Sequence, residues 1–308
     1  MTTLNNPGIV AAEVTRLKSW RPSNDSGEVP ASLPRLLQSA GQAADAAKAR
    51  LLAVPGDPFL FADWERVLFL HFLIAPEVLR PHVPKPFELE LYEGKGCISI
   101  VALTMRNFQP CHFDLLALPF RCLQQQRFLN FRTYVRGNGE SGAFFLHGLL
   151  SQPLGLPAPS NLFSLPYTFA NSKYDHFPKS GMIRGNVSDG KGQFAYRASI
   201  SEGKCQPADA GSLAEFAMER YSGFFYRKDR AYVFRAWHPV WLQQAVEARI
   251  ERDDLITTRF PWWKEARFAG ANFAPGFERV ELGKAHQLPE KPPTPGGHRV
   301  LSRLFEMP

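Results

Sequence analysis

The chain has 308 residues, 44% hydrophobic and 21% charged, with a formal net charge of +7. That is a globular composition, long enough for one large domain or two small ones. It excludes a membrane span, since no uncharged apolar run approaches 18 residues, and it argues against nucleic acid, since the basic residues are scattered among acids with no block of five. Met1 to Val10 lack a basic start followed by an apolar core, so no secretory signal is read and a cytoplasmic location is expected. Cys97, Cys111, Cys122 and Cys205 have no metal-type spacing and read as reduced packing thiols.

With 25 Phe, 6 Trp, 8 Tyr and 26 Pro, the composition tilts toward β structure. Residues 1–30 are polar and carry Pro, Gly and Ser, which suggests a flexible arm. Residues 31–56 form a helical extension, with Leu33, Leu36, Leu37, Ala40, Ala44 and Ala47 near a 3.6 period. That amphipathic helix docks on the domain or on a partner. The main domain spans 57–288 and opens with a strand over Arg66–Leu73. A short helix follows, with Pro76 in its first turn and Pro84 closing it. Gly96–Met105 is apolar on both faces and reads as a strand covered on both sides.

Phe128–Val135 and Ala143–Leu150 flank a turn over Gly137–Gly142, a strong hairpin signal. The turn glycines make no phosphate loop, because no Lys-Ser/Thr follows them. Further strands are expected over Met182–Val187, Gln193–Ile200, Ala231–Trp237 and Gln244–Glu251. Ser212-Leu213-Ala214-Glu215 is a capping box opening a helix through Tyr221. Residues 289–308 read as a Pro/Gly-rich tail. Many hairpin-linked strands with one or two helices at the side suggest an antiparallel barrel or curled sheet.

The hairpin's first strand carries the chemistry. Alternation places Leu129, Phe131, Thr133 and Val135 on one face, and Asn130, Arg132 and Tyr134 on the other with Phe128 beside them. A guanidinium, a carboxamide and a phenol in one row suit a planar anion where that face is enclosed. The same row on an open sheet is a solvated strand face. His71 and His147 each fall on an expected strand and form a candidate acid/base pair, with two packed histidines as the plainer reading. Cys111-His112 and Asp175-His176 lack a second cluster at ligand spacing, so no metal is expected. No Gly-x-Ser-x-Gly elbow is present. Trp262-Trp263 reads as aromatic core more than as a cap at a barrel mouth. Glu219-Arg220 reads as a structural ion pair or helix-surface charge more than as a site.

The pattern Trp64, Phe69, His71, Pro76-Glu77-x-Leu79-Arg80, Val83-Pro84 and Gly94 resembles the opening of the YqjF-like family, also called DUF2071. Its Asn-x-Arg-Thr-Tyr-Val hallmark stands here as Asn130 to Val135. Gly142, Phe144, Phe145, Pro166-Tyr167, Glu219-Arg220-Tyr221, His238 and Trp241 also fit. The resemblance covers roughly residues 60–285. It implies the acetoacetate decarboxylase-like fold, a mainly β, cone-shaped antiparallel barrel with flanking helices and an interior site, and so implies that the Asn130/Arg132/Tyr134 face is enclosed.

Decarboxylases of that fold use a lysine that forms a Schiff base, its pKa lowered by desolvation and neighbouring cations so that the amine is neutral and can attack. In them the lysine follows a Gly-aromatic-Pro segment. The nearest counterpart here is Ser164-Leu165-Pro166-Tyr167, which puts Tyr167 at that place, and a phenol forms no imine. Lys173 is the remaining nearby amine, in a polar context that reads as exposed. Relatives carry an acid two positions before the Asn, where this chain has Phe128. The expected function is binding of a small carboxylate or keto acid without cofactor. Arg132 would pair with the anion, Asn130 and Tyr134 would donate, and Lys173 and His147 complete the candidate ligand set. The rival is a lyase or hydratase acting on an enolisable acid, with Tyr167 or His71 as proton donor. A third reading is a structural partner protein, homo-oligomer included, that uses the helix at 31–54.

Overall fold

The computed structural model describes residues 33–111, 125–151, 165, 167–177, 181–200 and 203–289. The arm expected over 1–30, nearly all of the tail expected over 289–308, and Cys122 and His112 lie outside the described residues.

Two sheets are built from runs whose burial alternates or is continuous. β1 (Leu60–Ile74) pairs with β4 (Lys95–Pro110), which pairs with β5 (Gln125–Gly137), and β5 turns into β6 (Glu140–Leu150). The expected hairpin is present. Its tip is Asn138-Gly139, both at positive φ, the backbone that matches strand twist in a two-residue loop. β6 pairs in parallel with β11 (Ser222–Arg227), which forms a hairpin with β12 (Arg230–Trp237). β12 touches β15 (Arg267–Leu282) at Ala236–Leu282 and Trp237–Glu281, and β15 pairs along nearly all of β1. The ladder therefore returns to the strand where it began. Short strands decorate it: β2 (Glu88–Leu89), β3 (Leu91–Tyr92), β7 (Tyr167–Phe169), β13 (Gln244–Ala245) and β16 (His286–Gln287).

The second sheet has four strands: β8 (Asn171–Phe177), β9 (Met182–Ser188), β10 (Gln193–Ser199) and β14 (Glu247–Arg252), in the order β14-β10-β9-β8. It packs on the outer face of the first. Leu68, Leu70, Ile98, Ile100, Leu129 and Phe131 meet Ile183, Val187, Phe194 and Tyr196 in one cluster. Each such side chain withdrawn from water contributes about 1.5–3 kcal/mol. Gly96–Met105 is buried at every position, as a strand covered on both sides requires.

Helix α1 (Leu33–Leu52) buries Ala44 and Ala47 against Tyr221, Trp237 and Val240 of the same chain, and Trp237 Nε1 donates to Ala44 O at 3.0 Å. α2 (Pro76–Leu79) begins at Pro76 as expected and passes into a 3-10 turn, Arg80–His82. α3 (Leu213–Met218) carries the expected cap: Ser212 Oγ accepts from Glu215 N at 3.2 Å, and Glu215 accepts from Gly211 N at 2.7 Å. It stops three residues before the expected Tyr221. α4 (Asp254–Arg259) and the 3-10 turn Pro261–Glu265 close the outer core, where the Trp263 ring centroid lies 4.4 Å from that of Phe72. Trp262 and Trp263 are core residues, 8% and 5% exposed.

Two expectations are corrected. The strand read over Gln244–Glu251 is two strands in different sheets, β13 and β14, split at Val246. β15 and β11 were not expected at all. β15 carries Gly270 and Pro275-Gly276, which break period two, and a Cβ at Gly276 would collide with Trp64 O on β1. Among the described residues no helix is long and apolar enough to cross a membrane.

Candidate functional site

The inner face of the first sheet encloses a cavity of about 120 Å3. β1, β4, β5, β6, β11, β12 and β15 each contribute to its wall. Cross-strand register explains which side chains arrive there. One row runs Phe69–Val101–Asn130–Gly148–Tyr167 across β1, β4, β5, β6 and β7. The adjoining row runs His71–Ser99–Arg132–Phe145. Period two then brings Leu103 and Phe128 onto the same face. The wall is overwhelmingly hydrocarbon and aromatic, with a few polar groups set into it.

Arg132 is the focus of those groups. Its Nη2 donates to Ala217 O at 2.9 Å, the carbonyl near the end of α3. The guanidinium carbon lies 5.2 Å from the Phe69 ring centroid and 5.7 Å from that of Tyr134. Arg132 Nε is buried without a partner, and among the described residues no carboxylate forms a salt bridge with Arg132. Cation–π contact returns only about 1–2 kcal/mol at a desolvated site. An anion would supply the missing charge.

Arg220, the second cation on the wall, is already satisfied. Its Nη1 donates to Glu90 at 2.7 Å and its Nε to Phe216 O at 2.6 Å. Glu90 also accepts from Arg136 at 2.9 Å and Ser141 at 2.6 Å. Glu219 does not pair with Arg220. Its carboxylate accepts from Tyr221 Oη at 2.7 Å and Trp241 N at 2.9 Å, anchoring two aromatic wall residues. The ion-pair reading of Glu219-Arg220 is thus corrected: each residue has other partners, and Arg220 reaches the cavity.

The expected site residues divide into three groups. Asn130, Arg132 and Tyr167 line the cavity, and Tyr167 Oη donates to Asn130 Oδ1 at 2.9 Å. Burial raises the Tyr167 pKa despite the nearby Arg132, so the phenol keeps its proton. His71 and Tyr134 are fully buried and do not line it. They share Ser99: His71 Nδ1 lies 2.8 Å from Ser99 Oγ, which lies 2.6 Å from Tyr134 Oη. Burial and then the Arg132 cation lower the His71 pKa to about 3, with Asn272 opposing. His71 is a neutral imidazole in a neutral network, not a proton donor at the wall.

His147 and Lys173 stand elsewhere. His147 pairs with Thr168 Oγ1 at 3.1 Å, and its ring lies 6.4 Å from Phe131, a residue of the outer core. The His71/His147 pair is therefore split between the two faces of the sheet. Lys173 is exposed on β8 of the second sheet. No lysine is found among the described residues of the cavity wall. Cys97 and Cys111 are free thiols, and among the described residues no group of three His, Cys, Asp or Glu is placed to hold a metal.

Three contributors were not singled out from sequence. Arg220 reads from sequence as an ion pair or surface charge, and Trp241 only as part of a motif. Gly148 carried a single signal, a glycine inside a strand, which often marks close approach of another group.

The DUF2071 family model, described as an uncharacterized conserved protein, matches residues 62–265. The uncharacterized protein YqjF of Bacillus subtilis (strain 168) is 28% identical over 190 residues, covering 61% of this chain and 76% of that protein. Among solved structures, an acetoacetate decarboxylase-like enzyme from Sphingomonas wittichii RW1 matches with a TM-score of 0.52 and 13% identity, over 75% of this chain and 94% of that one. Acetoacetate decarboxylase from Legionella pneumophila matches at 0.53 and 14%, over 74% and 87%. The enduracididine biosynthesis enzyme MppR, complexed with the condensation product of pyruvate and imidazole 4-carboxaldehyde, matches at 0.52 and 12%, over 74% and 88%. At these identities the likeness is one of fold: strand-rich and acetoacetate decarboxylase-like.

Proposed function

The chain belongs to the DUF2071 family, and we propose that it is a cytoplasmic protein that binds a small carboxylate or keto acid inside its β-barrel, without Schiff-base chemistry. The observation that carries this reading is Arg132, a guanidinium on the cavity wall with no carboxylate partner among the described residues. Asn130 and Tyr167 would complete the cradle. Asn130 Oδ1 is occupied by the Tyr167 hydroxyl, which leaves the Asn130 amide as a donor. The free thiols of Cys97 and Cys111 suit a reducing compartment.

A wall without lysine among its described residues supports the exclusion of an imine. Lys173 stands exposed on the second sheet, outside the cavity, where it meets no bound acid and lacks the desolvation that activates an amine nucleophile. The rival reading, acid–base catalysis on an enolisable acid, would rest on Tyr167 alone, since His71 lies behind the wall.

Calorimetry with acetate, pyruvate, acetoacetate and hexanoate tests the proposal. Wild type should bind at least one of them, and Arg132→Ala should weaken that binding more than tenfold while circular dichroism stays unchanged. Equal affinity in the variant would remove Arg132 from the site. Borohydride treatment with acetoacetate should leave the protein mass unaltered; a reduced adduct would restore the imine route, and turnover without an adduct would favour Tyr167 acid–base chemistry.

A further inference from the structure

Resting on the carboxylate reading above, we infer that the ligand is an apolar monocarboxylate of small size, with one charged end and a hydrocarbon remainder. Three independent features lead there. The first is charge. Of the two cations on the wall, Arg220 is neutralised by Glu90 at 2.7 Å, and only Arg132 lacks a counter-charge among the described residues. One unpaired guanidinium accommodates one carboxylate. A second carboxylate would be buried among Phe69, Leu103 and Phe128 with nothing to pair with it.

The second is the sign of the polar surplus. The Ser222 hydroxyl donates to Glu140 at 2.8 Å, and Asn130 Oδ1 accepts from Tyr167. Both hydroxyl protons are committed, and the donors left to offer are those on Arg132 and the Asn130 amide. Such a wall suits a carboxylate or keto oxygen. It offers an ammonium group no carboxylate among the wall's described residues.

The third is size. An apolar cavity of about 150 Å3 takes up a molecule as large as benzene. The volume of about 120 Å3 here, lined largely by aromatic and aliphatic side chains, matches roughly five to six non-hydrogen atoms, the carboxylate included. Val101 sits beside Asn130 in the same cross-strand row, so it abuts the hydrocarbon part and sets how long that part can be.

The experiment is calorimetry on the full chain with 2-methylpropanoate, acetate, succinate, decanoate and the neutral 2-methylpropan-1-ol. The expected order puts 2-methylpropanoate first, by at least tenfold over each of the others. Val101→Phe should shift preference toward acetate, with Arg132 untouched. Succinate or decanoate binding as tightly as 2-methylpropanoate overturns the inference and leaves the carboxylate reading standing. The alcohol binding as tightly as the acid overturns the carboxylate reading itself. Failure of every acid to bind overturns both.

Discussion

The Tyr167 ring lies over the α-carbon of Gly148, so close that a Cβ there would overlap Tyr167 Cε1 and Cδ1. Gly148 pairs with Asn130 on one side and Tyr167 on the other, and its bare α-carbon lets the phenol lean across β6 to reach the Asn130 amide oxygen. Gly148→Ala should therefore expel the ring and cost about 1–3 kcal/mol, the usual scale of overpacking. Urea midpoints of Gly148→Ala, Tyr167→Ala and the double variant measure the coupling: the alanine should cost far less once the ring is gone. Strict additivity would mean that the two residues do not touch.

Arg132 sets binding against stability. Replacing it with Met removes a cation that no carboxylate among the described residues balances, at the loss of one hydrogen bond to Ala217 O. These effects oppose, the second worth about 1 kcal/mol. The expected stability of Arg132→Met lies within about 1 kcal/mol of wild type by denaturant unfolding, whereas carboxylate affinity should vanish. A large drop in stability would show that the guanidinium holds the sheet together rather than a ligand.

Glu90 should behave in the opposite way. It accepts from Arg220, Arg136 and Ser141, and its own side chain is 15% exposed against 10% for Arg220. Removing one member of a largely buried pair strands the other, at about 3 kcal/mol. Glu90→Ala should lose that order of stability and leave a second unpaired cation on the wall. Succinate binding by this variant more tightly than by wild type would report the freed Arg220.

Acid should destabilise the fold through its buried histidines. His71, His176 and His238 are at most 3% exposed, and burial lowers their pKa values to about 3, 4 and 4 from an ordinary 6.5. Between pH 6.5 and about 4 the unfolded chain binds protons that the folded chain refuses, so stability falls as pH falls through that window. Unfolding free energies at about pH 7, 6 and 5, above most carboxylate titration, should decline progressively more steeply. His71→Gln should reduce that slope by up to one proton; an unchanged slope would mean that His71 is charged in the folded state.

The sequence made the site's first half legible because period-two alternation is a local property. Asn130 and Arg132 share a face by spacing alone, and the turn at Asn138-Gly139 fixes their hairpin. What spacing could not settle was which face is enclosed, since that depends on β12 meeting β15 far along the chain. β15 itself was hidden by Gly270 and Pro275-Gly276, which interrupt its alternation where bulges re-aim the strand. Lys173 and His147 stand away from the cavity for a related reason: proximity in sequence to Tyr167, or occurrence on a neighbouring strand, does not say which sheet or face a side chain joins. The Tyr134–Ser99–His71 network needed three strands in register before its members could be seen to touch.

Helix α1 lies outside the residues matched by the family model, yet it reaches the cavity wall. Ala44 and Ala47 pack on Tyr221, and Leu51, fully buried, stands against Gly283; Tyr221 and Gly283 both line the cavity. Leu51→Ala should cost about 2–4 kcal/mol, as a large-to-small change in a closed site does. Lys48→Ala, which removes a partly exposed ion pair with Glu281 at 3.1 Å, should cost under about 1 kcal/mol. Denaturant unfolding separates the two. Because the helix backs the wall, Leu51→Ala should also weaken 2-methylpropanoate binding by several-fold, whereas Lys48→Ala should not. If both variants behaved alike in stability and affinity, the helix would be a surface appendage with no part in shaping the cavity.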